Sequence, residues 1–324
     1  MSYEKLFDWE VLEKERGKPE GGVAYYYDDA LELALNVALA TGRPLLLSGD
    51  PGSGKSTLAA DVAWKLKRRF YSSVITSRTQ GQDLQWSFDA VGRLADANTN
   101  DGGKKPVASF VQPGVLWRAF EPESAARHGK PFGKRAWGDV GEHAVVLLDE
   151  IDKADPDVPN DLLVVLDQKT FTVSETSTPV KAPDKLEVLV VMSTNGERDL
   201  PPAFLRRCIT HRIELSEDDR QDRMTNIARR HFAKEQIDDE LLESVVALFG
   251  KMRKSAHDRK LRQPSTAELI DALRACQRLR ITKASGPDWE SILTAALWKE
   301  PGKPALPKDH PAGSEGVAAS QRSP

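Results

Sequence analysis

The chain has 324 residues, 40% of them apolar and 29% charged, with a formal charge of −3. That length can bury one large core or two modest ones, and the balance is ordinary for a soluble globular protein, with no general bias toward nucleic acid or anionic membrane. Cys208 and Cys276 are too few for a disulfide framework. The charged amino terminus lacks a signal-peptide core, and no stretch nears the roughly 20 apolar residues of a membrane span, so a cytoplasmic location without a membrane partner is expected.

Residues 1–22 are charged, end in Gly21-Gly22 and read as an arm or linker. Asp28 and Asp29 precede an Ala/Leu-rich run to Ala40, closed by Gly42, which predicts a helix with signals at both ends. Pro44 to Ser48 is an unbroken apolar run, the mark of a strand buried on both faces. A glycine-rich turn follows, then Leu58, Ala59, Val62, Ala63 and Leu66 at helical spacing. Val74-Ile75 predicts a strand, and Leu84, Phe88, Val91 and Leu94 a helix. Residues 97–106 predict an exposed loop, Ala144 to Leu148 a second apolar strand, and Leu162 to Leu166 a short helix. The Thr-rich stretch 170–178 alternates like a hairpin. Leu186 to Met192 is a third strand and Arg212 to Leu215 a last short one.

Strands separated by helices predict an α/β fold, a three-layer parallel sheet over 23–215. After that the strand signals stop. Segments near 217–235, 238–250, 265–282 and 287–299 read as helices, so a small all-α unit is expected over 216–299, opened by a capping box at Ser216 and Asp219. Residues 300–324 are rich in Pro, Gly, Ala and Ser and read as a disordered tail.

Gly49-Asp50-Pro51-Gly52-Ser53-Gly54-Lys55-Ser56-Thr57 fits the phosphate-loop pattern. Glycines let successive N–H groups turn inward onto phosphate oxygens, and the helix beginning near Lys55 adds its positive dipole end. Lys55 reaches the β- and γ-phosphates of ATP, and the Ser56 hydroxyl ligates Mg²⁺. Ala144 to Asp152 is a buried strand ending in acids, at the edge where open α/β sheets bind ligands. Asp149 can hold Mg²⁺ there, and Glu150 can orient and deprotonate an attacking water. Asp152 and Asp155 read as helix-start or loop charges rather than ligands. Asn195 ends another apolar strand; it sits beside the γ-phosphate if that strand neighbours the phosphate-loop strand, and otherwise is a turn former before Gly196. Arg206 and Arg207 follow a short helix; an arginine inserted into a neighbour's site stabilises phosphoryl transfer, and a salt-bridged surface arginine is the competing reading.

In order, GDPGSGKST, VVLLDEID, STNGERDLPPAFLRRC and QPSTAELIDALRAC resemble an AAA+ ATPase, most closely its MoxR-type branch, over about residues 24–298. The resemblance implies an AAA+ core with a helical lid, a Walker A loop at Gly49–Ser56, Walker B acids at Asp149 and Glu150, a sensor-1 asparagine at Asn195, and an arginine finger at Arg207 or Arg206. It implies a ring, usually a hexamer, with shared active sites that remodels protein partners. It also suggests a von Willebrand factor A domain protein as a partner. The segment Phe110 to Trp117 resembles this branch's client-engaging insert, although a core-facing Trp117 is the plainer reading. Relatives often carry a lid arginine reaching the γ-phosphate where this chain has Ala267; either Arg262 substitutes or the contact is absent. The competing function is a nucleic-acid-associated AAA+ motor of a restriction or defence complex. The charge of −3 argues against it and the basic run 251–262 for it, although a solvated helix end is the plainer reading of that run. A GTPase is disfavoured because Asp152-Lys153-Ala154-Asp155 has an acid where guanine readers carry Asn.

Overall fold

The computed structural model describes residues 4–17, 25–98, 105–128, 141–213, 220–232 and 237–281. Five parallel strands make the central sheet: β1 (Leu45–Ser48), β2 (Arg69–Val74), β5 (Ala144–Asp149), β8 (Val188–Thr194) and β9 (Ile209–Arg212), in the order β2-β5-β8-β1-β9. The unbroken apolar runs follow from burial on both faces. Along β5, Ala144, Val146 and Leu148 enter one core, and Val145 and Leu147 enter the core on the opposite face. β8 divides its side chains in the same way, so the sheet is the middle layer of three. The α/β prediction therefore holds.

One face carries α1 (Trp9–Arg16), α2 (Asp29–Thr41) and α3 (Lys55–Lys65). Asp28 caps α2 by accepting from Leu31 N at 2.8 Å, and Gly42 closes it in the left-handed region at φ 67°, as the sequence signals require. Of the amino-terminal residues read as an arm or linker, the described part, 4–17, packs onto this face. Phe7 is fully buried, and Asn36 accepts from the amides of Leu6 and Phe7 at 2.7 and 2.9 Å. The surrounding charges hid one apolar anchor.

The other face carries α5 (Val115–Phe120), α6 (Pro122–Arg127) and α7 (Asp157–Gln168). The single helix expected from Leu84 to Leu94 is a correction. Gly81–Leu84 is a 3₁₀ turn, β3 (Trp86–Phe88) pairs antiparallel with β4 (Val111–Pro113), and α4 (Ala90–Asn98) begins only afterwards. Phe88 stands four residues from Leu84, a helical spacing, and two from Trp86, a strand spacing, and the distant partner strand decided between them. The hairpin in the Thr-rich stretch forms as β6 (Thr170–Val173) and β7 (Thr178–Lys181); Phe171 stacks on Trp86 with ring centroids 5.6 Å apart. Trp117 is fully buried and donates to Ser124 Oγ at 3.3 Å, which settles it as a core residue. The strand expected at Val74-Ile75 runs instead from Arg69 to Val74, because an edge strand alternates rather than reading as an apolar run. The last strand is described at 209–212; of the span 212–215 expected for it, 214 and 215 lie outside the described residues.

Beyond β9, α8 (Pro202–Leu205) having preceded it, α9 (Arg220–Phe232), α10 (Asp239–Asp258) and α11 (Thr266–Arg278) share a third core around Phe249, Leu242 and Leu273. Ser265 caps α11 with Glu268 in a capping box. The exposed loop lies largely outside the described residues. So do the boundary near 215, the Ser216–Asp219 box, the last helix and the tail.

Candidate active site

The carboxyl ends of β1, β5 and β8 meet at one edge of the sheet, where the strand order reverses around β1 and β8. From β1 the chain enters the loop Gly49 to Gly54. Gly52 and Gly54 have φ of 77° and 94°, conformations that side chains resist. A Cβ on Gly52 would lie 2.8 Å from Ser265 Cβ, so the lid turn before α11 packs directly on the loop. Lys55, 6% exposed, opens α3 and bends its ammonium back to donate to the carbonyls of Gly49 and Asp50 at 2.7 and 2.9 Å. Burial draws its pKa below the usual lysine range, opposed most strongly by the nearby Asp149 carboxylate.

Ser56 Oγ donates to Asp149 Oδ2 at 2.7 Å, which joins the start of α3 to the end of β5. Hard oxygens from one hydroxyl and one carboxylate beside a phosphate loop suit Mg²⁺, which keeps several waters and takes phosphate oxygens for the rest of its shell. Ser53 Oγ is buried in the loop without a hydrogen-bond partner, a donor free for a ligand oxygen. The residues present fit a magnesium nucleotide.

Glu150 adopts a left-handed conformation, φ 62° and ψ 47°, that costs a non-glycine residue about 1–2 kcal/mol. Its amide donates to Ser193 Oγ at 2.8 Å, and that hydroxyl also hydrogen-bonds Asp149 Oδ1. Ser193 is fully buried and braces both acids from β8. Glu150 Oε2 accepts from Lys153 at 2.9 Å, and Oε1 lies 3.5 Å from Asn195 Nδ2. The condition set for Asn195 is met: β8 pairs with β1 in the register Ser48 to Thr194. The loop that presents Asn195 is tied down by Asp152, 2% exposed, whose Oδ2 accepts from the amides of Asn195 and Glu197 at 3.2 and 2.9 Å. The sequence alone marks Asp152 as a helix-start or loop charge, and it does lie in the 3₁₀ turn Ile151–Lys153, but it gives neither Asp152 nor Ser193 a role at the site. Only their partners, some 43 to 45 residues away, reveal them.

A cavity of about 240 Å³ joins Gly52, Lys55, Ser56, Thr57, Asp149, Glu150, Asn195 and Ala267. On the other side of the loop a slot of about 260 Å³ runs between core and lid, where Gly54 meets Tyr25, Tyr26, Met224, Ile227 and Ile270, five residues the sequence did not single out. Lid and core are clamped beside it. Arg223 donates to Asp28 Oδ2 at 2.8 Å, and Arg230 donates to Tyr25 O at 3.0 Å while lying over the rings of Trp9 and Tyr26. Ala267 occupies the lid position facing the phosphate loop. Arg262 lies in a neighbouring cavity of about 600 Å³ and is paired with Glu268 at 3.0 Å.

Arg206 and Arg207 are not part of this cluster. They precede β9, whose Ile209 sits opposite Leu45 at the amino end of β1, whereas the phosphate loop leaves from the carboxyl end. Both side chains are exposed, and Arg207 Nε is 3.9 Å from Asp167 Oδ2.

A family model described as "AAA domain (dynein-related subfamily)" matches residues 44–208. Midasin of Giardia intestinalis is 28% identical over 183 residues, 55% of this chain; the match spans only 3% of that much longer protein. Among solved structures, a variant of Thermotoga maritima RuvB superposes with a TM-score of 0.43 at 15% identity, covering 89% of this chain and 69% of that one. A second RuvB variant gives 0.40 at 15% identity, covering 82% and 74%. No described helix is long and apolar enough to cross a membrane. With half of its length matched by the family model, from the start of β1 to the cysteine before β9, the chain belongs to the AAA domain family, in its dynein-related subfamily.

Proposed function

We propose that this protein is a ring-forming, magnesium-dependent ATPase that uses hydrolysis to remodel or activate protein partners, in the manner of the MoxR-type branch. The observation that carries the ATPase reading is the meeting of Ser56, Asp149, Glu150 and Asn195 at the phosphate loop, with Ser56 and Asp149 in contact at 2.7 Å. In this reading the loop amides and Lys55 grip the triphosphate, and the slot beside Tyr25 and Tyr26 takes the adenine. Ser56 and Asp149 would hold the magnesium ion, which when bound neutralises charge on the transferring phosphoryl group. Glu150 accepts the proton of the attacking water, and Asn195 holds that water in line.

The position of the arginines supports the ring reading. Roughly 10 Å of sheet, three strand steps, separates Ile209 from the level at which β1 enters the phosphate loop. Arg206 and Arg207 stand on the far side of that distance and serve a second copy's nucleotide rather than their own. A hexamer is the assembly we propose, with the β6–β7 hairpin turned toward clients and a von Willebrand factor A domain protein as partner. Of the basic run that favours the nucleic-acid reading, Arg253 is buried with its guanidinium on Pro264 O at 2.7 Å, while Lys251, Lys254, Arg259, Lys260 and Arg262 are exposed.

Subunit mixing tests the proposal. Lys55→Ala and Arg207→Ala should each be inactive alone, yet mixed they should regain part of the wild-type rate in hybrid sites. Two folded, inactive proteins that never complement each other would contradict a shared site.

A further inference from the structure

Arg43 lies between the end of α2 and the start of β1, and its guanidinium reaches across to the segment after α8. Its Nε donates to Arg207 O at 3.1 Å, and one terminal nitrogen donates to Arg206 O and to Cys208 O, the latter at 3.1 Å. Three consecutive carbonyls thus converge on one cation. The reason is local. The carbonyls of Phe204 and Leu205 in the single turn of α8 accept from the amides of Arg207 and Cys208, so those of 206–208 lie just past the helix, at its negative dipole end, which favours a positive charge. With the carbonyls of 206–208 turned onto Arg43, the backbone is fixed while the Arg206 and Arg207 side chains remain exposed to solvent. A planar fork of donors suits three carbonyls at once, whereas the point charge of a lysine does not.

We infer that Arg43 is a positioning residue for the arginine pair, holding Arg206 and Arg207 in the orientation that reaches a neighbouring copy's nucleotide. This rests on the reading of that pair as fingers. Arg43 also stands at the root of the strand that carries its own subunit's phosphate loop, so one side chain ties the strand of one site to the arginines that serve the next.

The experiment uses the full chain with Arg43→Ala and Arg43→Lys, beside Arg206→Ala and Arg207→Ala. Arg43→Ala should bind ATP within twofold of the wild type and turn over roughly 100-fold more slowly, the scale of a misplacement near 1 Å. Arg43→Lys should recover part of that loss. Mixed with Lys55→Ala, the Arg43→Ala protein should regain activity, because its own site then receives intact arginines. Mixed with Arg207→Ala it should not, since both partners fail in the same role. Wild-type turnover by Arg43→Ala while Arg207→Ala is slow would overturn the inference alone. Failure of Arg43→Ala to complement Lys55→Ala would reduce Arg43 to a structural brace and also overturn it. Wild-type turnover by both Arg206→Ala and Arg207→Ala would remove the finger reading, and the inference with it.

Discussion

Asp152 offers a quantitative test of how the loop that carries Asn195 is held. Its carboxylate is 2% exposed and accepts from the amides of Asn195 and Glu197 at 3.2 and 2.9 Å through one oxygen, Oδ2, while Oδ1 is buried without a partner. Hydrogen bonds to a charged group contribute about 1.5–3 kcal/mol each, and loss of the buried, half-satisfied carboxylate offsets part of that, so Asp152→Ala should destabilise the protein by about 2–4 kcal/mol. Asp152→Asn keeps an acceptor for both amides through weaker neutral bonds, and should cost about 1–2 kcal/mol. Freed from its tether, Asn195 should move from the place where the proposed function has it hold water; a shift near 1 Å corresponds to roughly a 100-fold loss in kcat for the alanine variant, with ATP affinity unchanged. Urea unfolding, equilibrium nucleotide binding and steady-state phosphate release on the same preparations measure all three quantities. An alanine variant with the wild-type unfolding midpoint and the wild-type rate would refute the argument that this carboxylate holds the loop.

Lys55→Ala removes the buried ammonium that sits on the loop carbonyls, and should abolish ATP binding in a fluorescent-nucleotide titration; unchanged affinity would withdraw the phosphate-loop assignment. Gly52→Ala combines a left-handed φ of 77° with a Cβ 2.8 Å from that of Ser265, so it should cost at least about 1–2 kcal/mol in stability and push the lid turn off the loop, weakening nucleotide binding. A calorimetric scan and the same titration check both effects, and wild-type values would show that the lid does not pack there. Cys208 is buried, and desolvation pushes its thiol up to about 12. At pH 8 it should therefore react with a thiol reagent on the order of a thousandfold more slowly than an unperturbed cysteine. Fast labelling of Cys208 in the folded protein would contradict the packing beneath the arginine pair.

How much of this could be read from the chain depended on the range over which each residue is specified. The strands at 45–48, 144–149 and 188–194 were legible because both faces are buried, so the apolar run is uninterrupted and needs no partner to be recognised. The phosphate loop was legible because its glycines, lysine and serine act through local backbone geometry. Glu150 and Asp149 could be placed by their position at a strand end. Residues that work through distant partners left no local mark. Ser193 is one small residue in an apolar strand until its contacts with Asp149 and Glu150 are known, and Asp152 is one acid among several. Phe88 fits a helix with Leu84 and a strand with Trp86, and only pairing with Val111 decided it. Phe7 was hidden among charges, and the Tyr25–Tyr26 slot exists only where core and lid meet.

The most direct test of the account compares wild-type protein with Glu150→Gln, each mixed with radiolabelled ATP and magnesium in a single-turnover format. The two proteins should bind ATP with equal affinity, and the wild type should release phosphate at a rate at least 100-fold above that of the variant, which keeps the nucleotide intact. Equal rates of phosphate release from the two would contradict the placement of the attacking water beside Glu150, and with it the chemistry assigned to this site.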